Sequence, residues 1–404
     1  MTNYINASRR LRSVNIFENV VIICVYLLCA VIAVLSLPAK THNTMIFYMI
    51  AMSLSVLFAY FAQPKDNARL RAFPLLISFL ILFFVLGFRD LSGVDDHSYL
   101  SIFNQVREKG VIKYFLQSTM EPGYLLLNWI TGKISGDYRL TQIVCTFIPV
   151  FLFYKSFARY RTVISIPLAV LLLCSTLYFQ MLAISLVRMF IGVSIVFYAI
   201  GYIWTLKPLK YMTAIIIATL FHYSAIIMLP FVFLAYSKEY ISLHWKKACV
   251  IAVVLIPAVV LFVVRFWVPL MGARYAIYEE ISEMSLGFSF ANKVILFICA
   301  VVFIKKIPQD FKNHYLLGAV LLFLTSSISL FSGGIIGRCI YYGNLGLLIS
   351  FPLLYRHSTN QSLRFYVAVG VIVYAFWYAY ATQWSNNIMH MDHLFPYRNM
   401  YFTI

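Results

Sequence analysis

Long apolar runs, each ended by a few basic residues, limit this chain to very few folds. A helix needs about 20 apolar residues to cross the ~30 Å hydrocarbon core of a bilayer. Segments 19–37, 44–63, 70–88, 138–158, 162–180, 182–206, 248–268, 290–305, 314–331, 338–355 and 363–382 meet or approach that length. Hydrophobic residues make up 62% of the 404 positions and charged ones 11%, too apolar for a soluble domain to bury. The expected fold is an all-α polytopic membrane protein, one integral membrane domain over 1–404. No polar segment is long enough for a soluble second domain, and no internal repeat is visible. The polar N-terminus "MTNYINASRRLRSVNIFENV" has no short apolar core with a small-residue cleavage site, so no cleavable leader is expected.

The formal net charge of +18 would suggest nucleic acid in a soluble protein. Here Lys and Arg flank the apolar spans, as the positive-inside rule requires, and no nucleic-acid partner is expected. The seven cysteines (Cys24, Cys29, Cys145, Cys174, Cys249, Cys299 and Cys339) lie in or beside apolar spans without a CxxC pair. They read as small core residues rather than metal ligands or a disulfide framework. No zinc-type spacing, P-loop or GxSxG occurs.

"RRLR" (9–12), "KDNARLR" (65–71), "KSFARYR" (155–161), "KPLK" (207–210), "HWKK" (244–247), "KK" (305–306) and "YRHSTNQSLR" (355–364) should mark the cytoplasm. All can do so if two apolar stretches enter the membrane without crossing it. One is "EPGYLLLNWITGKI" (121–134), too short for a span. The other is 211–236, flanked by basic residues at both ends and expected to break at "FHYS" into two half-helices. The alternative is a single span over 211–236 that violates the charge rule. Broken segments of this kind occur where they are buried in protein or line a cavity. The resulting expectation is about 11 transmembrane helices plus two half-inserted segments, with a cytoplasmic N-terminus and a C-terminus on the outer face. The loops 89–137 and 269–289 then lie outside.

Charge gathers on that outer side. "GFRDLSGVDDHSYLSIF" (87–103) packs Arg89, Asp90, Asp95, Asp96 and His97 just past a span. The pattern from Asp96 to Lys109 aligns Tyr99, Leu100, Phe103 and Val106, as an amphipathic surface helix does, with Asp95 or Asp96 as N-cap. Glu121 opens the first half-inserted segment, where a carboxylate needs a partner or a function. Arg188, Arg338 and Arg398 fall on the same side, and converging guanidiniums suit phosphate oxygens. Each alone also reads as a snorkelling or structural arginine. His222, at the turn of the broken segment, is a candidate base or proton relay, against the ordinary reading of a buried structural histidine. Tyr99, Tyr124, Trp129, Tyr275, Tyr278, Tyr341, Tyr342 and Tyr397 surround these charges. Membrane-interface belts explain such aromatics as well as sugar stacking does. The Asp95–Asp96 pair could hold a divalent metal only with ligands from elsewhere.

The motif "GFRDLSGVDDHSYLSIF" resembles the Arg-then-Gly-x-Asp-x-x-x-Tyr signature of EpsG-type proteins, which belong with the Wzy polysaccharide polymerases. "EPGYLLLNWI", "ISLVRMFIGVSI", "LFHYSAIIMLP", "GRCIYY" and "FPYRNMY" resemble later blocks of that family, in order, to the C-terminus. Met189 stands where the family commonly has Gln, and Val94 replaces a frequent Thr, which puts the polar contacts of those neighbours in doubt. The resemblance implies a GT-C-like glycosyltransferase in the bacterial cytoplasmic membrane, working without a cofactor or metal. It would polymerise undecaprenyl-diphosphate-linked oligosaccharides, as donor and acceptor, into O-antigen or exopolysaccharide, with membrane lipids and a chain-length regulator as partners. In the expected inverting reaction Arg89, Arg188 and Arg338 neutralise the diphosphate. Arg398, Tyr99, Tyr124 and Tyr342 add substrate contacts, and Asp95, Glu121 or His222 takes the acceptor proton. A neutral imidazole near pH 7 favours His222 among the three. The rival functions are a flippase of the same lipid-linked oligosaccharide, an O-antigen ligase or metal-dependent GT-C enzyme, and an acyltransferase built on His222.

Overall fold

A computed structural model of the chain describes residues 16–63, 68–91, 93–179, 186–235, 288–329, 334–384 and 394–403. Nearly everything described is helical; among the described residues, strand pairing is limited to the isolated bridges Arg89–Asn399 and Arg398–Thr403. The long helices are α1 (Ile16–Leu35), α2 (His42–Phe61), α3 (Ala68–Gly87), α7 (Tyr138–Tyr160), α9 (Val187–Trp204), α12 (Gln309–Ile328), α13 (Gly334–His357) and α14 (Gln361–Ala379). Shorter ones are α4 (Asp96–Lys109), α5 (Val111–Gln117), α6 (Pro122–Ile134), α8 (Ile166–Leu173), α10 (Pro208–Phe221) and α11 (Phe288–Phe303). Proline opens α6, α8 and α10, where its missing N–H has no intrahelical partner to lose.

Five helices among the described residues are long and apolar enough to cross a membrane, and four shorter apolar helices accompany them. The expected span 248–268 and nearly all of loop 269–289 lie outside the described residues. The outer surface is apolar: on α1, Ile23 (57% exposed), Leu28 (59%) and Val31 (53%) face outward. Polar atoms are turned inward and joined to one another. Ser55 of α2, Ser78 of α3 and Tyr154 of α7 form a buried hydroxyl triangle with edges of 2.7–2.9 Å. A solvent that cannot hydrogen-bond demands this inversion.

The short helix and the helix break expected from sequence are both present. Residues 121–134 form the short α6. The run 211–236 breaks at His222, whose backbone is extended between α10 and the 3₁₀ turn Tyr223–Ala235. The second limb folds back, since the Tyr211 hydroxyl donates to the Met228 carbonyl at 2.7 Å. The amphipathic helix also appears, as α4, with Tyr99, Ile102, Phe103 and Val106 buried.

Some boundaries differ. Arg188 lies at the second position of α9, which starts at Val187, five residues after the expected start of the span 182–206. Arg338 is inside α13, which begins at Gly334, four residues before the expected span 338–355. The span 162–180 is α8 followed by a π-helical turn, Cys174–Tyr178.

Packing sorts the helix ends into two sets. Gln142, near the start of α7, donates to the Arg89 carbonyl at 2.6 Å. At the far end of α7, Tyr160 donates to Phe197 of α9 at 2.7 Å, and Thr162 just beyond accepts from Arg356 of α13 at 3.1 Å. The end of α3 and the starts of α4, α6, α7, α9 and α13 therefore share one end of the bundle, which carries Arg89, Asp95, Asp96, Glu121, Arg188 and Arg338.

Candidate functional site

Two arginine–carboxylate pairs lie at that end. Glu121 is the N-cap of α6, 1% exposed, and its Oε2 accepts from Arg188 Nη1. A carboxylate at a helix N-terminus is favoured by the helix dipole, whereas a guanidinium at the N-terminus of α9 is not. Arg188 is thus held where its own helix disfavours it, and Glu121 supplies the compensation. Tyr99 adds a further contact: its hydroxyl lies 3.5 Å from Arg188 Nε, and its ring centroid 5.8 Å from the guanidinium carbon. The Tyr99 ring meets Tyr124 edge-on at 5.3 Å.

His222 joins this pair because two glycines let backbones touch. A Cβ added at Gly123 of α6 would sit 2.8 Å from the Leu220 carbonyl oxygen, two residues before His222. One added at Gly192 of α9 would meet the Tyr342 hydroxyl at 3.1 Å and His222 Cβ at 3.5 Å. No residue with a side chain fits the first position. Arg188 and Arg338 are both electrostatic neighbours of His222, and Glu121 is one of Tyr342. Arg338 and Tyr342, four apart on α13, share a face.

The His222 ring is fixed in orientation. Ser224 Oγ lies 2.7 Å from Nδ1 and 3.4 Å from the Tyr342 hydroxyl, and the Ser224 backbone N–H donates to Nδ1 at 3.3 Å. A backbone N–H can only donate, so Nδ1 accepts and the neutral ring carries its proton on Nε2. His222 therefore offers the cluster a donor. Ser224 was not singled out in the sequence, although the serine two places after His222 in "FHYS" was the available signal.

Arg89 makes the second arginine–carboxylate pair. It is fully buried, with Nη2 3.0 Å from Asp96 Oδ1 and Nη1 2.9 Å from the Leu86 carbonyl. Asp96 Oδ2 accepts from the Gly93 N–H at 2.7 Å. The Arg89 backbone is bridged to Asn399, and Asp90 N–H donates to the Arg398 carbonyl at 2.9 Å. Tyr397 stacks on Phe47 at 4.7 Å and donates to the Val85 carbonyl at 2.9 Å. This pair thus fastens the end of α3 to the C-terminal tail, with both charges sealed. Asp95 is the N-cap residue of α4, without a side-chain capping bond, half-buried, and an electrostatic neighbour of Tyr99. Arg398 contributes its backbone to the tail bridge and leaves its side chain exposed.

The structure therefore brings together Arg188, Glu121, Tyr99, Tyr124, His222, Tyr342 and Arg338, with Asp95 beside Tyr99. It holds Arg89 in a separate sealed pair and Arg398 at the surface. The cluster can bind an anion through two guanidiniums and an imidazole N–H, next to a carboxylate able to take a proton. In comparisons with known proteins, the EpsG family matches residues 72–399, from α3 to the tail and across the whole cluster. Neither the curated proteins nor the solved structures yield a match.

Proposed function

Since the chain belongs to the EpsG family, we propose that it is a membrane glycosyltransferase that joins lipid-linked oligosaccharide repeat units into a surface polysaccharide. The observation that carries this reading is the Arg188–Glu121 pair set against His222 and Arg338 at one end of the bundle. In a chain this apolar, a two-arginine cluster is costly unless it meets an anion in its working cycle. The diphosphate of an undecaprenyl-linked donor supplies one, and its charge grows as the glycosidic bond breaks.

In the proposed step an acceptor hydroxyl oxygen attacks the anomeric carbon of the donor. The carbon–oxygen bond to the diphosphate breaks, its electron pair leaves with the phosphate, and the anomeric centre inverts. Arg188, Arg338 and the His222 Nε2–H stabilise the departing oxygens by preorganised charge and hydrogen bonding. Glu121, with Oε2 engaged by Arg188, takes the hydroxyl proton on Oε1. Glu121 rather than His222 is assigned the base, because Nδ1 of His222 accepts from the Ser224 N–H. Arg89 is assigned to holding the fold. An outer-face site, a cytoplasmic N-terminus, a bacterial inner-membrane location, GT-C-like architecture and a chain-length regulator as partner belong to the same proposal.

The test is the lipid-linked product profile of cells carrying Glu121→Gln or Arg188→Gln. Single repeat units accumulating on the outer face are expected. Normal long-chain polymer from both variants overturns the assignment, and single repeats trapped on the inner face identify a flippase instead.

A further inference from the structure

Lys293 takes no part in the cluster described above, yet it is the more unusual cation. It lies in the second turn of α11, 2% exposed, with Nζ 3.1 Å from the Tyr374 hydroxyl. The same nitrogen sits 4.2 Å from the Tyr378 ring centroid and 5.9 Å from that of Tyr374. The two rings, on successive turns of α14, are 5.6 Å apart. A buried ammonium is costly without an anion, and contact with aromatic faces recovers only part of that cost. Among the described residues no carboxylate forms an ion pair with Lys293; the pairs at this end are Arg89–Asp96 and Arg188–Glu121.

A second polar group lies at the same place. Asn344 of α13 is fully buried beside Tyr378, and neither amide atom makes a hydrogen bond of normal geometry. Arg338, Tyr341 and Asn344 recur every third residue along a slowly turning flank of α13. Tyr341 is an electrostatic neighbour of both Arg338 and Tyr378. That flank runs from the Arg188–Glu121–His222 cluster to Lys293.

We propose that Lys293, Asn344 and the hydroxyls of Tyr374 and Tyr378 form a second anion subsite, which holds the phosphates of the acceptor's lipid carrier. The inference rests on the polymerase reading. An enzyme joining two lipid-linked units must hold two phosphate-bearing head groups at once. The Arg188 cluster serves the one whose diphosphate departs. The acceptor reacts through the sugar end far from its carrier, so its phosphates need a separate cation some distance along the substrate. A neutral aromatic surround with a single ammonium suits a group that binds and leaves intact.

The test uses the full chain in phosphatidylcholine nanodiscs, with sugar-free polyprenyl diphosphate as probe. The wild-type protein should bind two equivalents and Lys293→Gln one. Arg188→Gln should also bind one, and Lys293→Arg two. In turnover assays Lys293→Gln should raise the KM for a single-repeat acceptor by about tenfold or more while kcat stays within about threefold, as expected for one lost charge-assisted contact. Unchanged stoichiometry and acceptor KM in folded Lys293→Gln overturn the proposal. Displacement of the second equivalent by phosphatidylglycerol at equal concentration assigns the subsite to a structural lipid and overturns it too. Should Lys293→Gln fail to fold, Asn344→Ala and Tyr374→Phe carry the same two measurements. Failure of the polymerase reading is distinguishable, because Arg188→Gln would then still make normal polymer or trap single repeats on the inner face.

Discussion

The two arginine–carboxylate pairs have the same chemistry and opposite surroundings. Arg89 and Asp96, seven residues apart, have no exposed side-chain surface, and their remaining contacts include the backbone at Leu86 and Gly93. Arg188 and Glu121 come from different helices, and the Arg188 side chain keeps 14% of its surface exposed. Around the first pair lies a chain junction closed by the C-terminal tail. Around the second lie a histidine with its proton directed away from Ser224, a second arginine and three tyrosines. One arrangement shuts its ion pair away from any surface, and the other leaves part of its arginine open to something that arrives.

The sharpest way to break this contrast is to remove one arginine at a time. Arg188→Gln should lower polymer formation about 10²–10³-fold, by analogy with deleting one oxyanion-stabilising donor, a loss well beyond what destabilisation through the unpaired Glu121 accounts for. Arg89→Gln leaves Asp96 buried and unpaired, and should destabilise the fold by about 3–5 kcal/mol. Polymer yield and thermal unfolding of the purified protein separate the two effects. A fully stable but inactive Arg89→Gln would transfer the chemistry to the first pair.

Apolar replacement of both partners probes the same difference. Arg89→Met with Asp96→Leu should recover most of the lost stability, because a buried ion pair often gives way to well-packed apolar residues at little net cost. Arg188→Met with Glu121→Leu should fold and remain without activity. Recovery of polymer in that double variant would make the second pair structural as well.

Smaller effects sharpen the picture around His222. His222→Ala should reduce polymer formation about 100-fold, while His222→Gln, which can still donate, should lose only about tenfold. Equal losses in both variants would restore the imidazole as base. Gly192→Ala places a methyl 3.1 Å from the Tyr342 hydroxyl and should cost about tenfold in rate through misplacement. Tyr99→Phe removes only the long contact to Arg188 Nε; a change of about 0.5–1.5 kcal/mol, read as a several-fold fall in kcat/KM, is expected.

Much of the architecture was legible from residues in order. Long apolar runs became long helices because a backbone away from water must satisfy its own hydrogen bonds. The short α6 and the break at His222 followed from run length and flanking charge, and α4 from its periodic apolar face. The cluster was legible only in outline. Arg188, Glu121, His222, Arg338, Tyr99, Tyr124, Tyr342 and Arg89 all stand out in sequence, whereas their pairing does not, and Lys293 does not stand out. In a linear reading Arg89 sits beside a conspicuous charge motif, whereas Lys293 is a lone cation in "SFANKVILF" with no motif around it.

The sequence by itself determined the solvent of this protein, its helical class and the end of the bundle where charge collects. Each follows from composition and short-range periodicity, which act along the chain. Only the tertiary structure decided partnership: Arg89 with Asp96, Arg188 with Glu121 across 67 positions, Nδ1 of His222 with Ser224, and Lys293 with two tyrosines. Pairing depends on which helix ends meet and how closely, and at Gly123 and Gly192 that distance is set by the absence of a side chain. An arginine's chemistry is the same in both pairs, and the packing around it separates the sealed fastening from the candidate site.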